Sequence, residues 1–374
     1  MCGIAGIWDV QGRSRHDELA ETIAAMTATL RHRGPDDRGC WLDPEAGIAL
    51  GHTRLAIVDL SPAGAQPMLS ACGRFVLTYN GEIYNAGELR AELEALGHRF
   101  RGHSDTEVLV QGMAAWGAEA CLRRLIGMFA LGLWDRERRT LLLARDRVGK
   151  KPLYWGRGGG ALLFGSELKA LRACRSWTPE TNRDALAAYL RCRYVPAPQS
   201  IYRGIEKLRP GHAVEIDSAG SVRHRCYWDA LAVVNEGAID VADEDAVERL
   251  DELLRDAVAR RMIADVPLGG FLSGGIDSSL MAALMQAQSA APVRTFSIGF
   301  REAGFDEAPY ARAVAEHLGT DHTELYVEPG QALALIPHLP EIFDEPFADA
   351  SQIPTSLLAA LTRAHVTVAV SGDG

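Results

Sequence analysis

Met1-Cys2-Gly3-Ile4-Ala5-Gly6 opens the chain, and a small residue behind Met1 predicts removal of that methionine to leave a cysteine at the amino terminus. Such a residue carries a thiol and a free α-amine together, so nucleophile and base come from one residue without a distant histidine. Their unperturbed pKa values lie close, at about 8.5 and roughly 7.7–8.0, so either group can hold the proton near neutral pH. A modest electropositive surrounding then makes the thiolate a competent nucleophile. Alone, Cys2 also reads as a small buried hydrophobe at the start of a strand. The residues that decide between these readings lie in the first 110 positions.

Arg31-His32-Arg33-Gly34-Pro35-Asp36 is a basic turn, and Gly51-His52-Thr53-Arg54-Leu55-Ala56-Ile57 reads as a strand with a charge inside it. Tyr79-Asn80-Gly81-Glu82-Ile83-Tyr84-Asn85 follows an apolar run, and Gly102-His103-Ser104-Asp105-Thr106-Glu107 completes the set. Singly, Arg54 is a surface charge, Asn80-Gly81 a turn dipeptide and Asp105 part of a helix cap. In this order behind Cys2, residues 2–217 resemble the glutamine amidotransferase domain of the N-terminal-nucleophile type, in the form found in glutamine-hydrolysing asparagine synthetases. The resemblance implies a glutamine site. Asp105 would hold the α-ammonium, and Arg54 the α-carboxylate, with Leu55, Ala56, Ile57, Val58 and Glu82 around them. The Asn80 side chain and the Gly81 amide would stabilise the oxyanion formed when the Cys2 thiolate attacks the amide.

Leu272-Ser273-Gly274-Gly275-Ile276-Asp277-Ser278-Ser279 stands after an apolar stretch and before a helical run, Leu280 to Gln286. A glycine-rich turn between strand and helix points backbone amides at one spot, where the helix N-terminus favours an anion. The Gly-Lys-Ser/Thr ending of a P-loop is absent. The pattern resembles instead the pyrophosphate-binding loop of ATP pyrophosphatases, with Asp277 as a carboxylate for Mg2+. Thr295 to Phe300 reads as the next strand, with Ile298 in it, and Ser371-Gly372-Asp373-Gly374 as another strand end with a glycine turn. These match the ATP surroundings in asparagine synthetases. Asp344-Glu345-Pro346-Phe347-Ala348-Asp349-Ala350-Ser351 resembles a stretch whose acidic side chains lie near metal and pyrophosphate in bacterial homologues, and by itself reads equally as a solvated acidic loop.

The remaining features agree with a two-domain enzyme. A length of 374 residues allows two cores. With 49 acidic and 39 basic side chains the net charge is −10, which argues against a nucleic-acid surface. No export signal and no membrane-length apolar run stands out. Seven cysteines without Cys-x-x-Cys spacing point to free thiols in a reducing cytoplasm and away from zinc. Helical spacing marks Asp17 to Leu30, and Asn85 with Glu88 reads as a capping box opening a helix that ends at Gly97. Ile48 to Asp59, Gly73 to Tyr79, Phe129 to Asp135, Thr140 to Arg145 and Ala161 to Gly165 read as strands. The expected fold is an α+β N-terminal-nucleophile hydrolase sandwich (αββα), a connector at 218–243, and an α/β parallel-sheet ATP-pyrophosphatase domain over 244–374.

For the intact family the implied reaction converts ATP, aspartate and glutamine to asparagine, glutamate, AMP and pyrophosphate, and the resemblance leaves room for a homodimer. Acceptor choice is weakly encoded, because relatives amidate other carboxylates or close lactam rings. In the family the Ser-Gly-Asp-Gly motif continues into acidic residues and a further helical region. The expectation is therefore a complete glutaminase domain followed by an incomplete synthetase domain. A related amidotransferase for another carboxylate and a glutaminase with a non-catalytic nucleotide-binding domain remain the alternatives.

Overall fold

Alternating apolar residues such as Ile4, Val76, Trp134 and Leu143 give strands with a face to bury, and the chain resolves this need by facing two sheets together. The computed structural model describes residues 1–12, 15–301 and 306–372. It divides into two compact units, the first made of Met1–Gly237 together with Phe343–Phe347, the second of the remaining chain.

The strands of the first unit are β1 (Gly3–Trp8), β2 (Asp37–Asp43), β3 (Ile48–Arg54), β4 (Met68–Leu69), β5 (Phe75–Ile83), β6 (Gly127–Asp135), β7 (Thr140–Arg145), β8 (Tyr154–Gly158), β9 (Ala161–Gly165), β10 (Ile205–Lys207), β11 (His212–Ile216) and β12 (Val222–Cys226). One sheet has the order β10-β8-β9-β1-β3-β2 and the other β12-β11-β7-β6-β5-β4. Among the described residues these strands pair antiparallel throughout. Between the sheets lie Ile4, Trp8, Ile48 and Leu50 from one side and Val76, Ala130, Trp134 and Leu143 from the other. Trp8 and Trp134 meet edge-on with centroids 4.9 Å apart, which adds about 0.5–1.5 kcal/mol beyond their burial. The helix His16–Ala28 buries Leu19, Ile23 and Met26 on the outside of the first sheet. The helices Ala86–Ala95, Asp105–Trp116 and Ala118–Arg124 cover the second. This is the expected four-layer sandwich.

The second unit contains β13 (Leu268–Phe271), β14 (Arg294–Phe300), β15 (Asp321–Val327) and β16 (Val368–Val370) in the order β15-β14-β13-β16, all parallel. The helices Ile276–Ala287 and Ala308–Leu318 link the first three strands and bury Ala282, Ala311 and Ala315 together. The chain then reverses direction across the sheet, so β13 and β16 flank a switch point of the kind where α/β sheets bind ligands.

Three sequence expectations need correction. Val222–Cys226 falls in the expected connector, yet as β12 it pairs with β11 from His212↔Cys226 to Ile216↔Val222. Its sequence VRHRC lacks apolar alternation because it is an exposed edge strand. The strand expected to reach Asp59 stops at Arg54, because Asp59 takes a φ of 59° and the chain turns back on the Arg54 guanidinium. Asn85 does not cap its helix. Its amide instead donates to the Arg124 carbonyl at 3.0 Å and accepts from Ile126 N at 2.9 Å.

Candidate active site

Cys2 sits just before β1, whose register against β3 pairs Gly3 with Thr53. This brings the thiol to the turn that follows β3. Leu55 N donates to Cys2 Sγ at 3.4 Å, and the thiol lies 3.6 Å from the Leu55 carbonyl. Leu55, Ala56, Ile57 and Val58 thus form the loop beside the Cys2 thiol, with Ala56 N held by Asp36 Oδ2 at 2.8 Å. Gly34 is required beneath this loop, because a Cβ there would fall 2.3 Å from the Thr53 carbonyl carbon.

Burial raises the Cys2 thiol pKa, more than the Leu55 hydrogen bond, the terminal amine and Lys151 lower it; Asp105 also raises it. With Met1 in place, burial thus favours the protonated thiol. Lys151 is 4% exposed, and burial, then Arg33, pushes its ammonium down to about 8. Its Nζ lies 2.9 Å from the Met1 sulfur.

Asn80 and Gly81 lie in β5, at the far end from its start. The period-two alternation puts Thr78 and Asn80 on the face toward the other sheet, and Thr78 Oγ1 reaches the Gly51 carbonyl there at 3.0 Å. Asn80 is one step further toward the Cys2 end. It is 1% exposed, and its Nδ2 has no hydrogen-bond partner among the described residues. A buried donor left open costs about 1–3 kcal/mol, which makes it a group waiting for an acceptor. Gly81 cannot carry a side chain, because a Cβ would lie 2.3 Å from the Met128 carbonyl oxygen.

Asp105 begins the helix capped by Ser104, whose Oγ accepts from Glu107 N at 3.3 Å. Its Oδ2 accepts from Tyr79 Oη at 2.7 Å and from Ile83 N at 2.9 Å. Burial raises its pKa despite these bonds. Arg54 is 7% exposed, and its guanidinium donates to the Ser61 carbonyl at 2.9 Å and to the Asp59 carbonyl. Two of its five N–H groups thus brace the loop that holds Leu55 to Val58. Glu82 follows Gly81 in β5 and is half-buried.

Residues that carried no assigned role in the sequence also converge here. Arg33 Nε donates to the Cys2 carbonyl at 2.9 Å and its Nη1 to Glu167 Oε1 at 2.7 Å, while Nη2 is buried with no hydrogen-bond partner among the described residues. The basic turn pointed to Arg33, but no periodicity or motif marked Glu167 or Lys151.

In the second unit the loop after β13 and the end of β16 enclose a cleft lined by Leu272, Ser273, Gly275, Asp277, Ser278, Ser297, Ile298, Glu307, Ser371 and Gly372, among others. Ser273 and Ser278 hydroxyls are 2.9 Å apart and close the loop over the helix N-terminus. Gly274 has a φ of 80°, and a Cβ there would fall 2.6 Å from Tyr310 Cβ. Gly372 approaches so closely that a Cβ would lie 2.9 Å from Ser278 N. Ser279 Oγ is buried without a hydrogen-bond partner among the described residues. Asp373 and Gly374 of the last motif lie outside the described residues. Asp344 and Glu345 are tied to residues of the first unit. Asp344 Oδ2 accepts from Lys169 N at 2.7 Å, and Glu345 pairs with Lys207 and accepts from Ile201 N at 3.2 Å.

The family described as Glutamine amidotransferase domain matches residues 1–228, and the Asparagine synthase family matches residues 249–374. Glutamine-hydrolyzing asparagine synthetase 1 of Bacillus subtilis is 34% identical over all of this chain, which covers 58% of that protein. Its paralogue numbered 3 in the same organism is 36% identical over 91% of the chain and 56% of its own length. A Methanocaldococcus jannaschii protein provisionally given the same activity is 34% identical over the whole chain and 74% of its own length. The chain thus spans little more than half the length of the Bacillus relatives. It belongs to the glutamine-hydrolysing asparagine synthetase family, with an amidotransferase domain followed by a synthetase-type domain.

Proposed function

We propose that the first unit hydrolyses glutamine at Cys2 and that the second binds ATP, as parts of a synthetase that transfers the ammonia to an activated carboxylate, aspartate in the first instance. The observation that carries the first half is the open amide of buried Asn80 on the face that leads to Cys2. Removal of Met1 frees the Cys2 α-amine, which takes the thiol proton as sulfur attacks the side-chain amide carbon of glutamine. The oxyanion then accepts from Asn80 Nδ2 and the Gly81 amide. The carbon–nitrogen bond breaks, ammonia leaves with the proton, and water hydrolyses the glutamyl thioester to glutamate. Asp105 holds the α-ammonium. Arg54, with Leu55 to Val58, holds the carboxylate end, and Glu82 lines the glutamine site.

In the second unit the amides of Ser273 to Gly275 and the N-terminus of the helix Ile276–Ala287 suit the phosphates of ATP, and Ile298, Ser371 and Gly372 close the cleft beside them. Among the described residues no group of three or more His, Cys, Asp or Glu could hold a metal alone. Mg2+ carried on phosphates needs only one or two carboxylates. Asp277 and Glu307, on the same cleft, fit that requirement. Bound there, Mg2+ would offset the charge of the pyrophosphate leaving group. The ammonia would then attack an acyl-adenylate of the acceptor, releasing AMP.

Cys2→Ala should abolish glutamate release from glutamine while the melting temperature is kept, and mass spectrometry of the active protein should find Met1 absent. Glutamate release by the Ala variant above a buffer blank would refute the first half. AMP formation with ammonium and a panel of carboxylic acids tests the second. Nucleotide binding without carboxylate-dependent AMP would leave a glutaminase with a non-catalytic nucleotide site.

A further inference from the structure

A chain of alternating charges runs from the backbone of Cys2 into the segment Phe343–Phe347. Arg33 bridges the Cys2 carbonyl and Glu167 Oε1 at 2.9 and 2.7 Å. Lys169 Nζ lies 2.8 Å from Glu167 Oε2 and 3.4 Å from Asp344 Oδ1, and Lys169 N holds the other Asp344 oxygen. The four side chains, Arg33, Glu167, Lys169 and Asp344, are 9, 13, 20 and 7% exposed. Such partly buried pairs are screened far less than surface ones.

The sheet register explains why Glu167 is there. β9 runs beside β1 with Ala5 opposite Gly165. One residue on, Ser166 N donates to the Ile4 carbonyl at 2.9 Å and its Oγ accepts from Ile4 N at 3.0 Å. The next residue, Glu167, therefore falls beside the start of β1, where Cys2 leaves the strand. Cys2 itself lies just outside the pairing of β1 with β3 and β9, which begins at Gly3 among the described residues. Its carbonyl is fixed by Arg33, and Arg33 by Glu167.

We propose that Glu167 is a positioning residue for the nucleophile, holding the Arg33 guanidinium on the Cys2 carbonyl, and that Asp344 steadies it through Lys169. This rests on the reading of Cys2 as the glutaminase nucleophile. Burial works against the Glu167 anion, but His32, Arg33 and Lys169 outweigh it and hold the carboxyl down to about 2. The anion is thus present across the working pH range. A nucleophile displaced by about 1 Å can lose on the order of a hundredfold in rate, so the brace acts on turnover rather than on substrate affinity.

The test uses the full chain, with steady-state glutaminase kinetics and the rate of Cys2 alkylation by iodoacetamide. Glu167→Gln should lower kcat about tenfold or more, with KM changed by less than about twofold, since a charged hydrogen bond is lost away from the substrate. Asp344→Asn should lower kcat about two- to threefold. The double variant should be no slower than Glu167→Gln alone, because both act through one link. In a Lys169→Met background Asp344→Asn should be silent, and this arm decides the matter if Glu167→Gln does not fold. Effects that multiply, an Asp344→Asn effect that survives in Lys169→Met, or a raised KM with unchanged kcat would overturn the proposal. Unchanged kcat in Glu167→Gln beside an inactive Cys2→Ala sinks this inference alone. Activity in Cys2→Ala sinks the reading beneath it.

Discussion

Asn80 puts the proposed oxyanion site to the test at the level of one side chain. Its Nδ2 is buried and open, so Asn80→Ala should leave the melting temperature unchanged or raised while kcat for glutamine hydrolysis falls by about 10²–10³. A fall in both together would mean that the amide serves packing instead. His52 tests the same neighbourhood by pH. Its Nε2 lies 3.1 Å from the Tyr79 carbonyl, which can only accept, so Nε2 carries the proton and Nδ1 stays bare and buried. Burial pushes its pKa from 6.5 down to about 4. The unfolded chain therefore binds more protons between those values, so the His52 contribution is full above pH 6.5 and is lost as pH falls toward 4. That contribution is of order 3 kcal/mol. Urea unfolding at pH 7 and 4.5 should show a smaller acid loss in His52→Gln than in the unaltered protein; equal losses would acquit His52. The single-residue features most legible in the sequence were Cys2, Asn80-Gly81 and Asp105, which sit in short contiguous motifs. Arg33 was visible only as part of a basic turn. Lys151 and Glu167 were not, because their proximity to Cys2 comes from strand pairing and burial, which leave no local pattern.

At the scale of elements, the sequence reading was most accurate where one face of a strand or helix is buried. β6, β7 and β9 lie close to their expected limits because their inward residues alternate or run continuously apolar. β2 and β12 escaped notice for the opposite reason. They are edge strands whose residues are largely exposed or half-exposed. The turn after β13 was legible because glycine there answers a backbone demand. Gly274→Ala would force a side chain into a φ of 80° and against Tyr310, at a cost of roughly 1–2 kcal/mol from the backbone alone. The expected result is loss of the thermal stabilisation given by Mg-ATP, with glutaminase activity retained. A full ATP-dependent rise in melting temperature would separate this loop from nucleotide binding.

For the whole molecule, sequence order and structural membership disagree at one place. Phe343–Phe347 packs with the first unit, yet the residues before and after it belong to the second. Its two carboxylates answer Lys169 and Lys207, whose side chains are only 20 and 17% exposed. The sequence left this stretch equally as nucleotide surroundings or as a solvated acidic loop, because nothing local marks its contacts with Lys169 and Lys207. Dissecting the protein by restriction-style cuts therefore cannot isolate its first half intact. A recombinant piece ending at Gly237 would take Asp344 from Lys169, which keeps Glu167, and Glu345 from Lys207, which keeps the Val195 carbonyl, at a cost of about 0.5–1.5 kcal/mol for each lost contact. Supplying a synthetic peptide spanning residues 343–347, fused through a flexible linker, should recover the lost melting temperature; a fragment already as stable without it would show that the stretch is a passenger.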